Sequence, residues 1–492
     1  MNQMEKQEIL VYMTHIEVTN YRFGDWPEVE LMMSKKDKSR HCLLPIGYYI
    51  DEGYNKLYLP RGFDIAILER HAKSQAILMK CRQPVSKLEN VAMTVDPRNG
   101  MQEDAIAFLT ATGLYENPQG CPPQLGLNMP TGTGKTYCSI NSMVTKKLRS
   151  IIICHSKKIL NQWMTGIDKF TDIDMDRVLF ITGSRMIEAL MDGRLDPVAY
   201  DFFITTHQTL ASFASIDGWV TLTKFFEKLR VSLKILDETH LYFENALKLD
   251  FFSDVPLTWY LTATYGRSDI QQNIIYKKAY STVYRFGNKI ERYRHTISFI
   301  VFIDSHPENK DKRFVQYSNS YGYSAVNYMT YEFLQDKDVM LNTVHRILKQ
   351  CKDVEGIRLV LSGLQKTTEL IADEVESWYP KWDTIVVHSK HNASHEEMEE
   401  SDCISCTYKM MGTGADIKGV RVLIVTEPIG SAINMEQVMG RLRPYIDEEG
   451  KERETLFYYI VDTGFRKCVQ MYERIEPVIR KLSKQVYTYD LR

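Results

Sequence analysis

Short apolar runs alternate with amphipathic segments over most of this chain, from about residue 125 onward. Each run is rich in β-branched residues and is bounded by polar sequence, which is typical of strands buried in a parallel sheet. The intervening segments, such as 156–170 and 364–378, have helical spacing. The alternation therefore predicts an α/β fold with two consecutive units, each on a parallel sheet. The runs are 150–155, 178–182, 202–206, 233–237 and 259–264 in the first unit and 297–303, 358–362, 384–388, 402–407, 421–426 and 456–461 in the second.

A glycine-rich stretch, Met-Pro-Thr-Gly-Thr-Gly-Lys-Thr, occupies residues 129–136 near the start of the first unit. A short apolar run at 125–129 precedes it and a segment of helical pattern at 137–148 follows it, so it stands between a strand and a helix. In this context glycines let backbone N–H groups close around phosphate oxygens, and the helix N-terminus adds partial positive charge. The stretch therefore predicts a nucleotide-phosphate loop rather than a chance glycine-rich turn.

Side-chain chemistry suggests a role for several members of this loop. Lys135 would reach the β- and γ-phosphates of a nucleotide, and Thr136 would ligate Mg²⁺. Met129 stands where the general pattern has its first glycine, and Pro130 would supply the tight turn instead. The predicted phosphate-binding residues are Pro130, Thr131, Gly132, Thr133, Gly134, Lys135 and Thr136.

Two adjacent carboxylates, Asp237 and Glu238, come directly after the apolar run at 233–237. Because ligands bind beyond the carboxyl ends of strands in open α/β sheets, this position is suited to a site. Asp237 could hold Mg²⁺ through its waters, and Glu238 could polarise the water that attacks the γ-phosphate. A surface Asp-Glu pair is the alternative, but a buried strand downstream of a phosphate loop favours a hydrolysis site.

The composition is that of a globular protein in a reducing compartment. The 492 residues are 44% hydrophobic and 25% charged, with a formal net charge of -2 that argues neither for nor against nucleic acid. The nine cysteines show no framework spacing, so we expect a cytoplasmic protein, and the lone pair Cys403 and Cys406 is predicted to be core rather than a metal site. There is no apolar run of about 18 residues, and therefore no membrane span is expected.

Residues 1–95 have a different character, because they consist of short, turn-rich pieces followed by a helical pattern near 63–73. They predict a small strand-rich accessory domain. The short pieces are 10–19, 28–33, 41–50 and 56–60. A basic cluster at 35–40 and four tyrosines could contact a nucleic-acid backbone and bases, while a solvated loop and core tyrosines are the alternative. The tyrosines are Tyr48, Tyr49, Tyr54 and Tyr58.

A set of motifs in fixed order resembles the superfamily 2 helicases, motors with two RecA-like domains, over about residues 95–465. The order of the whole set is far more specific than any one motif. The motifs are Gln102 within 97–106, Ile-Ile-Ile-Cys-His-Ser-Lys at 151–157, Ile-Thr-Thr-His-Gln-Thr-Leu at 204–210, Asp-Glu-Thr-His at 237–240, Leu-Thr-Ala-Thr at 261–264, Leu-Val-Leu-Ser-Gly at 359–363, Tyr-Lys-Met-Met-Gly-Thr-Gly-Ala-Asp at 408–416 and Gln-Val-Met-Gly-Arg-Leu-Arg-Pro at 437–444.

The details of the motifs resemble the DExH branches more than the DEAD-box RNA proteins. His240 is the fourth residue of the Asp-Glu-Thr-His motif, and no DEAD-box adenine motif precedes the phosphate loop. The segments 59–63 and 261–269 are similar to viral members, namely the phage UvsW-type branch-migration helicases and the poxvirus transcript-release helicase, and more distantly to XPB. For a viral protein the expected compartment is the host cytoplasm.

The resemblance implies ATP and Mg²⁺ as cofactors, with ATP between the two sheets. It implies that Gln102 contacts the adenine base and that Asp416 either contacts the ribose or stabilises the loop to which it belongs. The implied catalytic residues are Lys135, Glu238, Gln437, Arg441 and Arg443, and the implied metal ligands are Thr136 and Asp237. The implied nucleic-acid contacts, for each of which a capping or solvated role is the alternative, are Ser156, Lys157, Thr206, Gln208, Ser362, Thr407 and Lys409.

The last motif departs from the family pattern. The usual spacing is Gly-Arg-x-x-Arg, whereas this chain has Gly440, Arg441 and then Arg443. On a helix, a shift of one residue turns a side chain by about 100°. Arg441 therefore keeps the position of an arginine finger, and Arg443 is either a second finger or a helix-surface or interface arginine.

The expected domains are an accessory domain at 1–95, a RecA-like domain with the ATP-binding motifs at 96–290 and a second RecA-like domain at 291–492, with 304–335 as a surface excursion. The expected function is that of a monomeric ATP-dependent helicase or translocase that remodels single-stranded, forked or branched DNA in recombination, replication or repair. The alternative is an ATP-dependent factor that acts on RNA or transcription complexes. A restriction translocase, a catalytically dead binding protein and a small-molecule kinase explain the motifs less well.

Overall fold

The computed structural model describes most of the chain in two compact units. One unit contains residues 1–129 and 133–288, and the other contains residues 130–132 and 289–492. The described residues are 6–37, 40–79, 88–111, 124–129, 132–262, 269–286, 294–305, 338–391, 393–408, 417–426, 428–447 and 449–492. Within these ranges, no helix has both the length and the apolar character that a membrane crossing needs.

The N-terminal region is built around a small sheet with the strand order β5-β6-β2-β1-β7, antiparallel except for the parallel pair β1 and β7. Its elements are β1 (Ile9–Val11), β2 (His15–Val18), α1 (Pro27–Met32), β3 (Ser34–Asp37), β4 (Cys42–Pro45), β5 (Tyr49–Asp51), β6 (Lys56–Pro60), α2 (Ile65–Ala72) and β7 (Ile77–Leu78). The strand-rich prediction is thus confirmed. The piece at 28–33 is helical, however, because Pro27 in the first turn favours a helix start.

This N-terminal region packs against the first α/β domain and belongs to the same compact unit. Thr14 Oγ1 donates a hydrogen bond of 2.7 Å to the carbonyl of Asp250, and the rings of Tyr58 and Phe252 lie 4.7 Å apart. Tyr48 and Tyr58 are buried, so they are core residues and cannot contact a nucleic acid from this surface. Tyr54, by contrast, is exposed. The domain boundary expected at residue 95 stays a prediction.

The first α/β domain is a parallel sheet of seven described strands in the order β10-β11-β9-β12-β13-β8-β14. Its elements are α3 (Gly100–Thr110), β8 (Gln124–Asn128), α4 (Lys135–Thr145), β9 (Ser150–Cys154), α5 (Lys157–Phe170), β10 (Val178–Ile181), α6 (Ser184–Asp192), β11 (Phe202–Thr206), α7 (His207–Asp217), α8 (Thr221–Leu229), β12 (Leu233–Asp237), α9 (Phe243–Phe251), β13 (Leu257–Thr262), α10 (Ile270–Ala279) and β14 (Tyr284–Arg285). Every predicted strand of the first unit is present and parallel.

The second α/β domain is also a parallel sheet of seven described strands, in the order β17-β18-β16-β19-β22-β15-β23. Its elements are β15 (Thr296–Ile303), α11 (Asp338–Gln350), β16 (Ile357–Ser362), α12 (Gln365–Trp378), β17 (Thr384–Val387), α13 (His395–Glu400), β18 (Cys403–Thr407), β19 (Val420–Val425), α14 (Ala432–Met439), β20 (Tyr445–Ile446), β21 (Glu452–Arg453), β22 (Thr455–Asp462), α15 (Arg466–Leu482) and β23 (Gln485–Asp490). Cys403 and Cys406 are free, buried residues of β18, as predicted.

The fold class predicted from the sequence is therefore confirmed, as two tandem RecA-like domains with a strand-rich N-terminal region. Two edge strands, β14 and β23, were not predicted. The excursion expected at 304–335 lies almost wholly outside the described residues.

Candidate active site

The carboxyl ends of neighbouring strands bring the predicted residues of the first unit to one edge of its sheet. Strand register pairs Thr262 with Asn128, Asp237 with Leu261 and Thr206 with Cys154, so the strands end at nearly the same level. Beyond these ends lie the phosphate loop, the two carboxylates and the residues that follow β9 and β11. This is the edge at which open α/β sheets bind ligands.

Two glycines give the phosphate loop its backbone shape. Gly132 and Gly134 have φ angles of 82° and 100°, in the left-handed region that side chains disfavour. Gly134 caps α4, which begins at Lys135, so the first N–H groups of that helix have no partner within the helix. Pro130 and Thr131 lie outside the described residues.

Lys135 links the loop to the carboxylate pair. Its Nζ donates a hydrogen bond of 3.1 Å to the carbonyl of Met129 and lies 3.6 Å from Glu238 Oε1. The side chain of Met129 is fully buried, so this residue anchors the loop in the core and its carbonyl holds the lysine. Only 9% of the Lys135 side chain is exposed, which keeps the ammonium inside the site.

Glu238 adopts a backbone conformation that is rare for a residue with a side chain. Its φ of 51° and ψ of 45° place it in the left-handed region, and strain of this kind clusters at functional sites. Its Oε2 lies 3.3 Å from His240 Nδ1. Strand β12 ends at Asp237, and a short 3₁₀ turn follows at Thr239–Leu241. Glu238 lies between them, so its left-handed backbone turns the chain out of the strand direction.

The environment of Asp237 opposes its ionisation. Burial, followed by the charge of the neighbouring Glu238, raises the pKa of the Asp237 carboxyl. The indole of Trp163 donates a hydrogen bond of 2.8 Å to Asp237 Oδ2, and this bond and the charge of Lys135 oppose the rise. A bound cation would therefore favour the ionised form of Asp237.

The side-chain amide of Gln102 connects the phosphate loop to the segment that precedes α3. Its Nε2 donates a hydrogen bond of 3.0 Å to the carbonyl of Thr133, and its Oε1 accepts one of 2.8 Å from the N–H of Arg98. A Cβ atom at Gly134 would lie 2.3 Å from this Nε2, so a larger residue there would displace the Gln102 amide and would also be strained by the φ of 100°. The described contacts make Gln102 a support of the loop, and its contact with adenine stays a prediction.

His240 joins the acidic turn to the end of the next strand. Its Nδ1 lies 2.8 Å from Thr262 Oγ1, the last residue of β13. Both side chains are buried. The next motif residues, Ala263 and Thr264, lie outside the described residues. The bond gives a direct path between the carboxylate pair and the neighbouring strand end.

The nucleic-acid positions of the first unit lie on the same edge, at the starts of α5 and α7. Ser156 caps α5 with a half-buried side chain, and within the described chain its Oγ is a buried atom with no hydrogen-bond partner. Lys157 and Gln208 are exposed. Thr206 is buried and accepts a hydrogen bond of 3.2 Å from the N–H of Thr209, so it caps the N-terminus of α7. This contact corresponds to the capping role that was the alternative to a nucleic-acid contact.

His207 was missed by the sequence interpretation although it lies within a quoted motif. Its ring stacks on Tyr242 with centroids 4.3 Å apart, and its Nδ1 lies 2.9 Å from Asn245 Nδ2. Since the amide nitrogen of Asn245 can only donate, Nδ1 is an acceptor and the imidazole is neutral. Burial, with the nearby His155 second, lowers the pKa of His207 to about 4.

We expect this depressed pKa to make the first unit less stable in acid. The unfolded chain binds a proton on this histidine near its ordinary pKa of 6.5, whereas the folded chain does so only near pKa 4. Stability is therefore full well above pH 6.5 and falls as the pH drops toward 4, by about 2 kcal/mol between pH about 7 and about 5. Thermal unfolding of wild type and His207→Gln from pH about 7 to about 5 measures this. The variant should lose less stability than wild type, exposed His41→Gln should match wild type, and equal losses in all three would contradict the assignment.

The second unit carries the remaining predicted residues. Gln437 lies on α14, but that helix ends at Met439, and Gly440 follows as its cap. Arg441 and Arg443 therefore lie beyond the helix, and the argument from a 100° helical rotation between them is wrong. Arg441 is 9% exposed, and its charge opposes the burial that raises the pKa of Cys406 to about 12.

The nucleic-acid positions of the second unit are less accessible than predicted. Ser362 is fully buried, and its Oγ lies 2.6 Å from Thr368 Oγ1, so its side chain does not face solvent. Thr407 is buried at the end of β18. Lys409 and Asp416 lie outside the described residues. A direct strand contact by the Ser362 hydroxyl thus requires a different side-chain position.

Comparisons with known proteins find a family and a viral protein that are similar to this chain. Residues 99–267 match the sequence profile of the family described as type III restriction enzyme, res subunit. The transcript termination protein A18 of Yaba-like disease virus is 20% identical over 355 residues, which are 69% of each chain.

Two solved structures are also similar to this chain. The crystal structure of T4 UvsW is 13% identical with a TM-score of 0.37, over 99% of this chain and 100% of that one. Dbp5 of S. cerevisiae, bound to RNA and ADP BeF3, is 12% identical with a TM-score of 0.46, over 80% of this chain and 89% of that one.

Proposed function

We propose that this chain is an ATP-driven helicase of superfamily 2 that moves on DNA and remodels branched or duplex DNA. The match of residues 99–267 to the restriction-enzyme res-subunit family and the similarity to the poxvirus protein support a helicase. The observation that supports a working motor is the edge of the first sheet. There a phosphate loop, a buried lysine and two carboxylates stand beside residues suited to a polymer backbone.

The chemistry that these residues support is hydrolysis of a nucleoside triphosphate. Lys135 would neutralise charge on the β- and γ-phosphates, and the N-terminus of α4 would supply N–H donors to the same oxygens. Glu238, 3.6 Å from that lysine, would orient and deprotonate the attacking water. Gln437, Arg441 and Arg443 would be the contribution of the second domain, as the family resemblance implies.

A magnesium ion fits the donor set of the first unit. Thr136 and Asp237 offer a hydroxyl and a carboxylate, which are the hard oxygen ligands that Mg²⁺ prefers. One oxygen of Asp237 is held by Trp163, which leaves the other for a metal or its waters. A bound Mg²⁺ would supply charge neutralisation on the phosphates, and it would also favour the ionised form of Asp237, whose pKa burial raises.

The nucleic-acid contact would run along the starts of α5 and α7. The Ser156 hydroxyl is buried without a partner in the described chain, and such a group costs about 1–3 kcal/mol unless a ligand satisfies it. Lys157 beside it is exposed and could pair with a phosphate. Contacts of this type bind a backbone and do not read base sequence.

A second candidate is action on RNA within a transcription complex. The name of the viral relative, transcript termination protein, favours it. The two candidates share one motor and differ in the polymer that stimulates it. The His240 motif, which differs from that of the DEAD-box RNA proteins, favours DNA, while segments 59–63 and 261–269 are similar to both the phage branch-migration helicases and the poxvirus transcript-release helicase.

The ATPase rate distinguishes these candidates. We expect forked or four-way DNA to stimulate hydrolysis at least about tenfold, with weaker stimulation by single-stranded DNA and least by RNA of equal length. Titrations at two salt concentrations separate affinity from maximal rate, and Lys135→Ala gives the background. Stronger stimulation by RNA would replace the first proposal with the second, and no stimulation by any polymer would contradict both.

A further inference from the structure

Helix α5 connects two predicted parts of the first unit. Its N-terminus carries Ser156 and Lys157, the proposed backbone contacts. Its buried face carries Leu160, Trp163 and Ile167, which recur at helical spacing and point into the domain. One rigid helix of 14 residues therefore reaches from the proposed strand path to the sheet interior below the carboxylates.

Trp163 makes a polar contact that packing alone does not require. Its side chain is fully buried, and its Nε1 donates a hydrogen bond of 2.8 Å to Asp237 Oδ2. An indole has one donor and no acceptor, so the bond fixes one carboxylate oxygen and leaves the other free to bind elsewhere. A bond to a charged acceptor is about twice as strong as a neutral one and fixes direction better.

The same face of α5 also contacts the helix that carries the other predicted metal ligand. A Cβ atom at Gly166 would lie 3.2 Å from Ile140 Cδ1 and 3.5 Å from Thr136 Cγ2. The two helices thus approach closely at this glycine, and no larger residue fits without displacement. Trp163 and Gly166, three residues apart on α5, thus mark the bond to Asp237 and the close approach to the helix that carries Thr136.

We propose that Trp163 is a positioning residue, which holds the Asp237 carboxylate in the orientation that Mg²⁺ requires and so couples helix α5 to hydrolysis. This inference rests on the proposed role of Asp237 as a metal ligand. Groups that orient a metal ligand typically change metal affinity or activity by about 10- to 100-fold when removed. The hydrogen bond, more than the bulk of the ring, is the part that matters.

The test is the Mg²⁺ dependence of the ATPase in the full chain. Trp163→Phe keeps an aromatic ring and removes the donor. We expect its half-saturating Mg²⁺ concentration to rise about tenfold or more, while nucleotide binding in EDTA stays within about twofold of wild type. Trp259→Phe is the matched control, because Trp259 is also a buried tryptophan of the first α/β domain, 1% exposed on strand β13. It should lose similar thermal stability with an unchanged Mg²⁺ requirement.

A second variant separates the hydrogen bond from folding. Replacing Trp163 by benzothienylalanine puts sulfur in place of the indole N–H and keeps the ring shape, so this protein should fold and still show the raised Mg²⁺ requirement. If wild type, Trp163→Phe and the sulfur analogue all show the same dependence of hydrolysis on Mg²⁺ concentration, the inference is overturned. The proposed function would remain intact. A wild-type protein without Mg²⁺-dependent hydrolysis would instead overturn the proposed function itself.

Discussion

Lys135→Ala is expected to lower ATP turnover by about 10³-fold or more, to the background of the assay. The ammonium is held inside the site by the Met129 carbonyl and by Glu238, and among the described residues of the loop it is the group placed to neutralise phosphate charge. Loss of this charge should weaken ATP binding as well as the chemical step. Steady-state phosphate release, with and without nucleic acid, measures the effect.

Lys146→Ala is the control for this variant. Lys146 caps the opposite end of α4, and its Nζ donates to the Thr110 carbonyl, so its removal tests any damage to the helix itself. The two positions are about 16 Å apart along the helix. Lys146→Ala should keep nearly all activity. Turnover near the wild-type level in Lys135→Ala would refute the assignment of the loop, whatever the control does.

The sheets were predictable from the sequence because each core strand is nearly continuous in apolar residues. A run such as 202–206 is buried on both faces in the structure, and both α/β domains follow from such runs. Strand β23 was missed because its side chains are exposed or half-exposed, and among the described strands it pairs only with β15. Its partly polar sequence carries no signal of burial.

The site was predictable where a motif keeps chemistry within a few adjacent residues. Lys135 and the carboxylate pair are of this kind, and the structure brings them together. Trp163 was not predictable, because Asp237 is 74 residues away along the chain and a tryptophan at helical spacing indicates only a core position. The same holds for His207, whose partners Tyr242 and Asn245 come from another helix and its start.

The error over Arg441 and Arg443 has a similar origin. The spacing argument assumed that the helix continued through both residues, but α14 ends at Met439 and Gly440 caps it. A glycine is a common helix end, and the Pro444 that follows cannot continue one. Gly440 and Pro444 therefore indicated in the sequence that the helix ends here. The spacing argument followed the family motif instead and did not take them into account.

Glu238→Gln is expected to stop hydrolysis while ATP still binds. The substitution keeps the shape of the side chain and removes the base, which should lower turnover by about 10²- to 10⁴-fold. Glu238 also raises the pKa of Asp237 through its charge, so its neutral replacement favours the ionised form of Asp237. Mg²⁺ and ATP should therefore bind within about threefold of wild type or more tightly. Single-turnover hydrolysis and equilibrium nucleotide binding measure the two steps separately.

The matched control is Glu244→Gln, the same change at an exposed position in the first turn of α9. It should leave both binding and turnover unchanged. A Glu238→Gln protein that binds ATP but does not turn it over would assign the water-activating role to this carboxylate. If the variant instead lost ATP binding and thermal stability together, Glu238 would be a structural residue, since its left-handed backbone and its approach to His240 would then account for its place. Retained ATP binding together with lost hydrolysis therefore distinguishes a general base from a structural residue.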